Sequence, residues 1–129
     1  GALREAASRH SQRVHFRAGW DDLLARRTYA GADCVLVPSR FEPCGLVQLI
    51  AQRYGSLPIA HRTGGLADTI ADGASGVLFD ALSPEALIGA AERGAAIASQ
   101  RGLRRALMQI DVSWRLPAAR YEELFRLLA

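Results

Sequence analysis

The chain has 129 residues, of which 50% are hydrophobic and 22% charged, the make-up of a single globular core rather than two independent ones. No apolar run approaches the ~20 residues that span a bilayer, and residues 1–10 carry charge where an export leader would carry an apolar stretch, so the cytoplasm is the expected compartment. The formal charge of +3 comes from 16 basic residues, all of them arginine and scattered along the chain, which removes any lysine nucleophile and gives little reason to expect nucleic acid as a partner.

Read in chain order, residues 14–18 have the pattern of a short strand. Residues 21–29 follow as a short helix with Leu23, Leu24 and Ala25 on its apolar side. Residues 34–38, Cys-Val-Leu-Val-Pro, form a continuous apolar run rich in β-branched residues, as expected of a parallel strand covered on both faces. A loop over 39–43 leads into a helix over 45–54, where Leu46, Leu49, Ile50 and Tyr54 recur at helical spacing and Gly55 supplies the C-terminal cap. A third strand is expected at 57–60. The Gly64-Gly65 loop, a short helix over 66–71 and a fourth strand at 76–79 come next. Ser83-Pro84-Glu85 combines a hydroxyl N-cap, proline at the first helical position and an acid at the positive end of the dipole, which starts a helix running to about Ser99. Helices over 103–110 and 114–128 finish the chain. The last is capped by Ser113, tolerates Pro117 in its first turn, and places Trp114, Tyr121, Leu124, Phe125 and Leu128 on one side.

Strands alternating with helices predict an α/β fold, a partial Rossmann-like parallel sheet with flanking helices and right-handed crossovers. Ligands of such sheets bind outside the carboxyl ends of the strands, which directs attention to the loops after Val37 and after Ala60. In the first loop, Ser39-Arg40-Phe41-Glu42-Pro43-Cys44-Gly45-Leu46, the backbone N–H groups near Cys44, Gly45 and Leu46 precede a helix and suit an anion. Glu42 is biased to extended backbone by Pro43, which leaves its carboxylate in the same crevice. Two readings stand for it: a group that hydrogen-bonds sugar hydroxyls, or an ordinary acid favoured by the dipole of the helix that follows. The second loop, Arg62-Thr63-Gly64-Gly65-Leu66, has two adjacent glycines. They fit a close approach of backbone to ligand and fit a tight turn equally well. Cys34 and Cys44 have no second cysteine or histidine at zinc-ligand spacing, so neither a disulfide nor a metal site is indicated.

These words, with Gly31-Ala32-Asp33 before them and Ala67-Asp68-Thr69, Ser75-Gly76-Val77, Ser113-Trp114 and Tyr121 after, closely resemble the C-terminal signature of the glycogen and starch synthases. Those enzymes are retaining glucosyltransferases of the two-domain GT-B fold. The resemblance implies that residues 1–129 are a fragment of the C-terminal nucleotide-sugar-binding domain, without the N-terminal domain that faces the α-1,4-glucan acceptor. It implies transfer of glucose from ADP-glucose to the non-reducing end of that glucan, with no cofactor besides the donor and no metal. By position, Glu42 matches the family's essential carboxylate. Cys44, Gly45 and Leu46 match the amides that meet the diphosphate and glucosyl group, and Thr63, Gly64 and Gly65 match the second ligand-side loop. Trp20 matches a position usually held by tyrosine, whose ring stacks on adenine; a half-buried loop aromatic is the alternative reading.

Two departures bear on the branch. Sucrose-forming and related transferases have a second acid eight residues after the first, where this chain has Ile50, and Val47 replaces a frequent threonine. A fragment of this kind is expected to be inactive alone, to bind ADP weakly, and to self-associate through exposed apolar surface. A transferase of the same fold with another donor or acceptor, and a non-catalytic nucleotide-binding module, are the alternatives.

Overall fold

The computed structural model describes residues 1–128. Its elements are α1 (Ala2–Arg9), α2 (Asp22–Gly31), β1 (Cys34–Val37), α3 (Val47–Arg53), β2 (Leu57–His61), α4 (Gly64–Thr69), β3 (Val77–Phe79), α5 (Pro84–Ala98), α6 (Leu103–Met108) and α7 (Arg115–Leu128). The three strands form one sheet in the order β1-β2-β3, parallel throughout, with Val37 opposite Ala60 and Ile59 opposite Val77. The α/β expectation holds.

Alternation along the strands divides the core between the two faces of the sheet. Leu57, Ile59, Val77 and Phe79 point to one face and pack with Ala90 of α5 and Leu107 of α6. Val37, Ala60 and Leu78 point to the other and pack with Leu66 and Ile70 from α4 and its end. Each of the buried valine, leucine, isoleucine and phenylalanine side chains among these contributes about 1.5 to 3 kcal/mol of transfer free energy. β2 is central and buried on both faces, as a doubly covered parallel strand should be.

Local signals set several boundaries. Asp21 caps α2 by accepting from the Leu24 N–H at 2.9 Å, and Ser83 caps α5 by accepting from Ala86 at 3.2 Å with Pro84 next to it. Gly55, with φ of 80°, stops the chain after α3 in the left-handed conformation expected there.

Five expectations need correction. Residues 14–18 are not a strand: among the described residues no strand lies beside them, and a strand without a neighbour leaves its N–H and C=O groups unpaired. The segment is held instead by packing at α1, where the Arg4 guanidinium sits 5.6 Å from the centre of the Phe16 ring. β1 is parallel but not covered on both faces, since Leu36 is 51% exposed at the edge of the sheet. The helix expected over 45–54 starts at Val47, and its buried residues are Gln48, Ala51 and Gln52, with Leu46 and Ile50 exposed. Gly64 and Gly65 are the first turn of α4 rather than a loop before it. Finally, the last helix starts at Arg115 rather than at Trp114; its apolar side is exposed, with no buried residue along the helix.

Candidate functional site

The loops after β1 and β2 meet at the carboxyl edge of the sheet, and backbone contacts lock them together. The Gly65 N–H donates to the Glu42 carbonyl at 2.9 Å. Gly64 lies so close to that carbonyl, and Gly65 to the Cys44 backbone, that a Cβ on either would overlap main-chain atoms. Gly64 also has φ of 44°. The glycine pair is therefore required by one loop pressing on the other, a reason different from the two weighed on sequence alone.

Glu42 is half-buried, and its Oε2 lies 3.5 Å from the Ser39 hydroxyl, a long contact that leaves most of the carboxylate's accepting capacity free. Cys44 is exposed and its thiol makes only a 3.9 Å contact to the Gly45 carbonyl. Gly45 is buried with φ of 76°, and a Cβ there would collide with the Gln48 side chain. Leu46 is the N-cap residue of α3 and its side chain is exposed. The N–H groups of Cys44, Gly45 and Leu46 donate to no group among the described residues. Thr63, half-buried, is the N-cap of α4 and makes no side-chain cap bond.

Seven of the eight sequence-picked residues thus converge. Trp20 stands apart. Its side chain is 92% exposed, which rules out the half-buried reading, and it borders a separate hollow of about 400 Å³ lined also by Leu24, Ala25, Thr28, Tyr29 and Val35. Val35 lies on the strand that leads into the Glu42 loop, so the hollow and the loop are on connected structure.

Several residues that sequence reasoning passed over hold the two loops. Gln48 Nε2 faces the carbonyls of Cys44 and Gly45 and the Thr69 hydroxyl oxygen, so its two protons serve three acceptors with one shared, and Thr69 donates to the Gly65 carbonyl. His61, at the end of β2, places Nδ1 2.8 Å from the Ser39 carbonyl and Nε2 3.2 Å from that of Asp80. Arg62 bridges Asp80 at 2.8 Å and Asp72 at 3.3 Å, and Arg93 also reaches Asp72. Partial burial works to raise the Asp72 pKa, but the Leu78 N–H and the guanidinium groups of Arg93 and Arg62 outweigh it and hold the carboxyl below its ordinary value. Both arginines are thereby neutralised locally. Among the described residues, no group of three or more His, Cys, Asp or Glu is placed to hold a metal ion.

The carboxyl edge of a parallel sheet, where the two interlocked loops lie, is where α/β folds bind their ligands, and the chain belongs to the family described as "Glycosyl transferases group 1", whose model matches residues 1–95. Over 98% of its length it is 48% identical to the glycogen synthase of Thermus thermophilus, of which it spans 30%. Among solved structures it is similar to the catalytic domain of starch synthase IV from Arabidopsis thaliana, bound to ADP and acarbose, at 34% identity and a TM-score of 0.79. That match covers 95% of this chain and 29% of the other. A sucrose-phosphate synthase from Thermosynechococcus elongatus is similar at 27% identity and a TM-score of 0.70, with 98% and 33% covered. The chain thus spans about a third or less of the relatives it matches. The two solved structures place its α/β sheet within a GT-B glycosyltransferase fold.

Proposed function

We infer that the chain is part of the nucleotide-sugar-binding side of a glucosyltransferase of glycogen synthase type, taking glucose from ADP-glucose to the non-reducing end of an α-1,4-glucan with retention of configuration. The observation that carries this reading is the backbone-locked pair of loops that holds Glu42 beside three unbonded amides at the carboxyl edge of the sheet. In this reading the amides of Cys44, Gly45 and Leu46 face the diphosphate and glucosyl group. As the bond from the anomeric carbon to the β-phosphate oxygen breaks, negative charge grows on the leaving ADP, and preoriented N–H dipoles favour it more than they favour the bound donor. The Glu42 carboxylate, with free lone pairs, accepts from sugar hydroxyls and orients the ring. The acceptor's hydroxyl is brought by the remainder of a protein of the relatives' length, as are cations for the diphosphate. No metal or cofactor is assigned a role.

The direct test is release of ADP when the full-length enzyme is incubated with ADP-glucose and glycogen, compared with UDP-glucose as donor and with this chain alone. Turnover near an ordinary rate of about 10 per second is expected with ADP-glucose, and none from the isolated chain, because one wall of a two-domain cleft cannot supply the positioning that is worth up to ~7 to 11 kcal/mol. A full-length enzyme inert toward ADP-glucose would sink the reading. Ile50, where a second acid marks sucrose-forming relatives, favours this branch over the reaction of the sucrose-phosphate synthase.

Trp20 is assigned to the adenine of the donor, because an indole this exposed beside an apolar hollow offers a stacking face at no unfolding cost. Trp20→Ala in the full-length enzyme should weaken ADP binding by about 1 to 2 kcal/mol in titration calorimetry and leave the melting temperature unchanged. An unaltered affinity removes the residue from the site.

A further inference from the structure

We propose that Gln48 is a positioning residue: its carboxamide sets the direction of the Cys44 and Gly45 peptide planes and ties the Glu42 loop to α4. This deepens the functional reading above and rests on it. Gln48 is fully buried, one residue into a seven-residue helix, where a polar side chain is retained only if its partners repay its desolvation. None of those partners lies in its own helix: two are loop carbonyls and the third is the hydroxyl at the end of α4. Nε2 lies 3.1 Å from the Cys44 carbonyl, 2.7 Å from the Gly45 carbonyl and 3.0 Å from the Thr69 hydroxyl oxygen.

The directions of these bonds are fixed by the chain itself. The Thr69 hydroxyl spends its proton on the Gly65 carbonyl at 2.5 Å, so it can only accept from Gln48. The two carbonyls can only accept as well, so the group facing all three is the NH₂, and Oε1 is left buried without a partner against Gly45. The chain has no cis peptide bond, and in a trans peptide the C=O and N–H point in opposite directions. Drawing the carbonyls of Cys44 and Gly45 inward to Gln48 therefore turns the N–H groups of Gly45 and Leu46 outward, the orientation a diphosphate needs. The same carboxamide closes a ring: Gln48 to Thr69, Thr69 to Gly65, Gly65 N–H to the Glu42 carbonyl, and back along the loop to Cys44. One amide thus fixes both the donor dipoles and the backbone that bears the carboxylate.

Gln52 supplies an internal control. It lies one turn further along α3, is equally buried, and also donates from Nε2 to a carbonyl and leaves Oε1 without a partner, but its acceptor is Ser75, away from the two loops. In the full-length enzyme Gln48→Met should lower kcat about 10- to 100-fold, with the KM for ADP-glucose changing less than about threefold, as expected when reacting groups are displaced by a fraction of a bond length. Gln52→Met should cost similar stability and leave kcat within about twofold. Thr69→Val, which keeps shape and removes the relay, should act in the same direction as Gln48→Met, and Thr69→Ser should restore kcat; this pair decides the matter if Gln48→Met does not fold. Hydrogen exchange read by mass spectrometry on a peptide spanning α4 should rise in Gln48→Met and Thr69→Val but not in Gln52→Met, since the Gly65 N–H loses its fixed acceptor. A wild-type kcat in Gln48→Met, an equal fall in Gln52→Met, or unaltered exchange in α4 overturns the proposal. If the unmutated enzyme transfers no glucose, the functional reading fails by itself, and the exchange comparison alone then decides whether Gln48 holds the loops.

Discussion

Glu42→Gln in the full-length enzyme should lower turnover by roughly 100-fold or more, equivalent to about 2.7 kcal/mol of transition-state stabilisation, while the protein stays folded. The expectation of intact folding comes from geometry. The carboxylate makes one long contact, from the Ser39 hydroxyl at 3.5 Å, and the strong interactions of residue 42 are through its carbonyl, which the substitution leaves alone. A loss of stability below about 1 kcal/mol is therefore expected. The expectation of lost turnover comes from charge. Glutamine keeps the shape and one acceptor oxygen but replaces a charge-assisted acceptor with a neutral one and introduces a donor, and hydrogen bonds to an ionised acceptor are about twice as strong. Steady-state kinetics with ADP-glucose, paired with a melting curve, measures both. Near wild-type turnover would remove Glu42 from the reacting centre. A large fall in melting temperature would instead assign it to the scaffold.

What could be read from sequence divides along physical lines. The strands Cys34–Val37, Leu57–His61 and Val77–Phe79 were legible because each centres on a short apolar run bounded by turn residues, a pattern that persists at β1 even though Leu36 leaves that edge strand partly exposed. Pro84–Ala98 was legible because capping is local: Ser83, Pro84 and Glu85 act on atoms within one turn. The failures share an opposite feature, dependence on something distant in sequence. Whether residues 14–18 form a strand depends on a neighbouring strand, which no local pattern reports. Leu46, Leu49, Ile50 and Tyr54 recur at helical spacing and announce the helix α3, yet the side chains fully inside are those of Gln48 and Gln52, where carbonyls outside the helix accept their protons. Periodicity ranks side chains by their cost in oil and is blind to a polar group whose partner comes from a loop 23 residues away, as Ser75 does for Gln52. The candidate site was found in outline because its two loops follow strands. The way it is held together was not, since Gln48, Thr69 and His61 look like ordinary helix and strand-end residues until the loops are folded onto them.

The glycine pair gives the second large effect. Gly65→Ala should destabilise the fold by about 3 kcal/mol or more and lower activity further than its stability loss explains, because the added methyl has nowhere to go. Its Cβ would overlap the Cys44 backbone at the carbonyl oxygen, Cα and carbonyl carbon together, and these are main-chain atoms of a loop fixed at one end by β1 and at the other by α3. A flexible side chain could rotate away. A backbone pinned from both ends can yield only by moving the loop, and that movement breaks the 2.9 Å bond from the Gly65 N–H to Glu42 and turns the Cys44 peptide off Gln48. Helix propensity works in the opposite direction, since alanine within α4 is favoured over glycine by about 1 kcal/mol, so a net loss can come only from the contact. Gly73→Ala provides the comparison: no atom lies within 4 Å of its Cβ, but its φ is 80°, so it pays conformational strain of about 1 to 2 kcal/mol without touching either loop. Urea denaturation of both variants in the full-length enzyme, followed by kcat measured well below the unfolding midpoint, separates the two costs. If Gly65→Ala is no less stable than Gly73→Ala and retains its turnover, the two loops are not pressed together as the backbone contacts require, and Glu42 owes its position to something else.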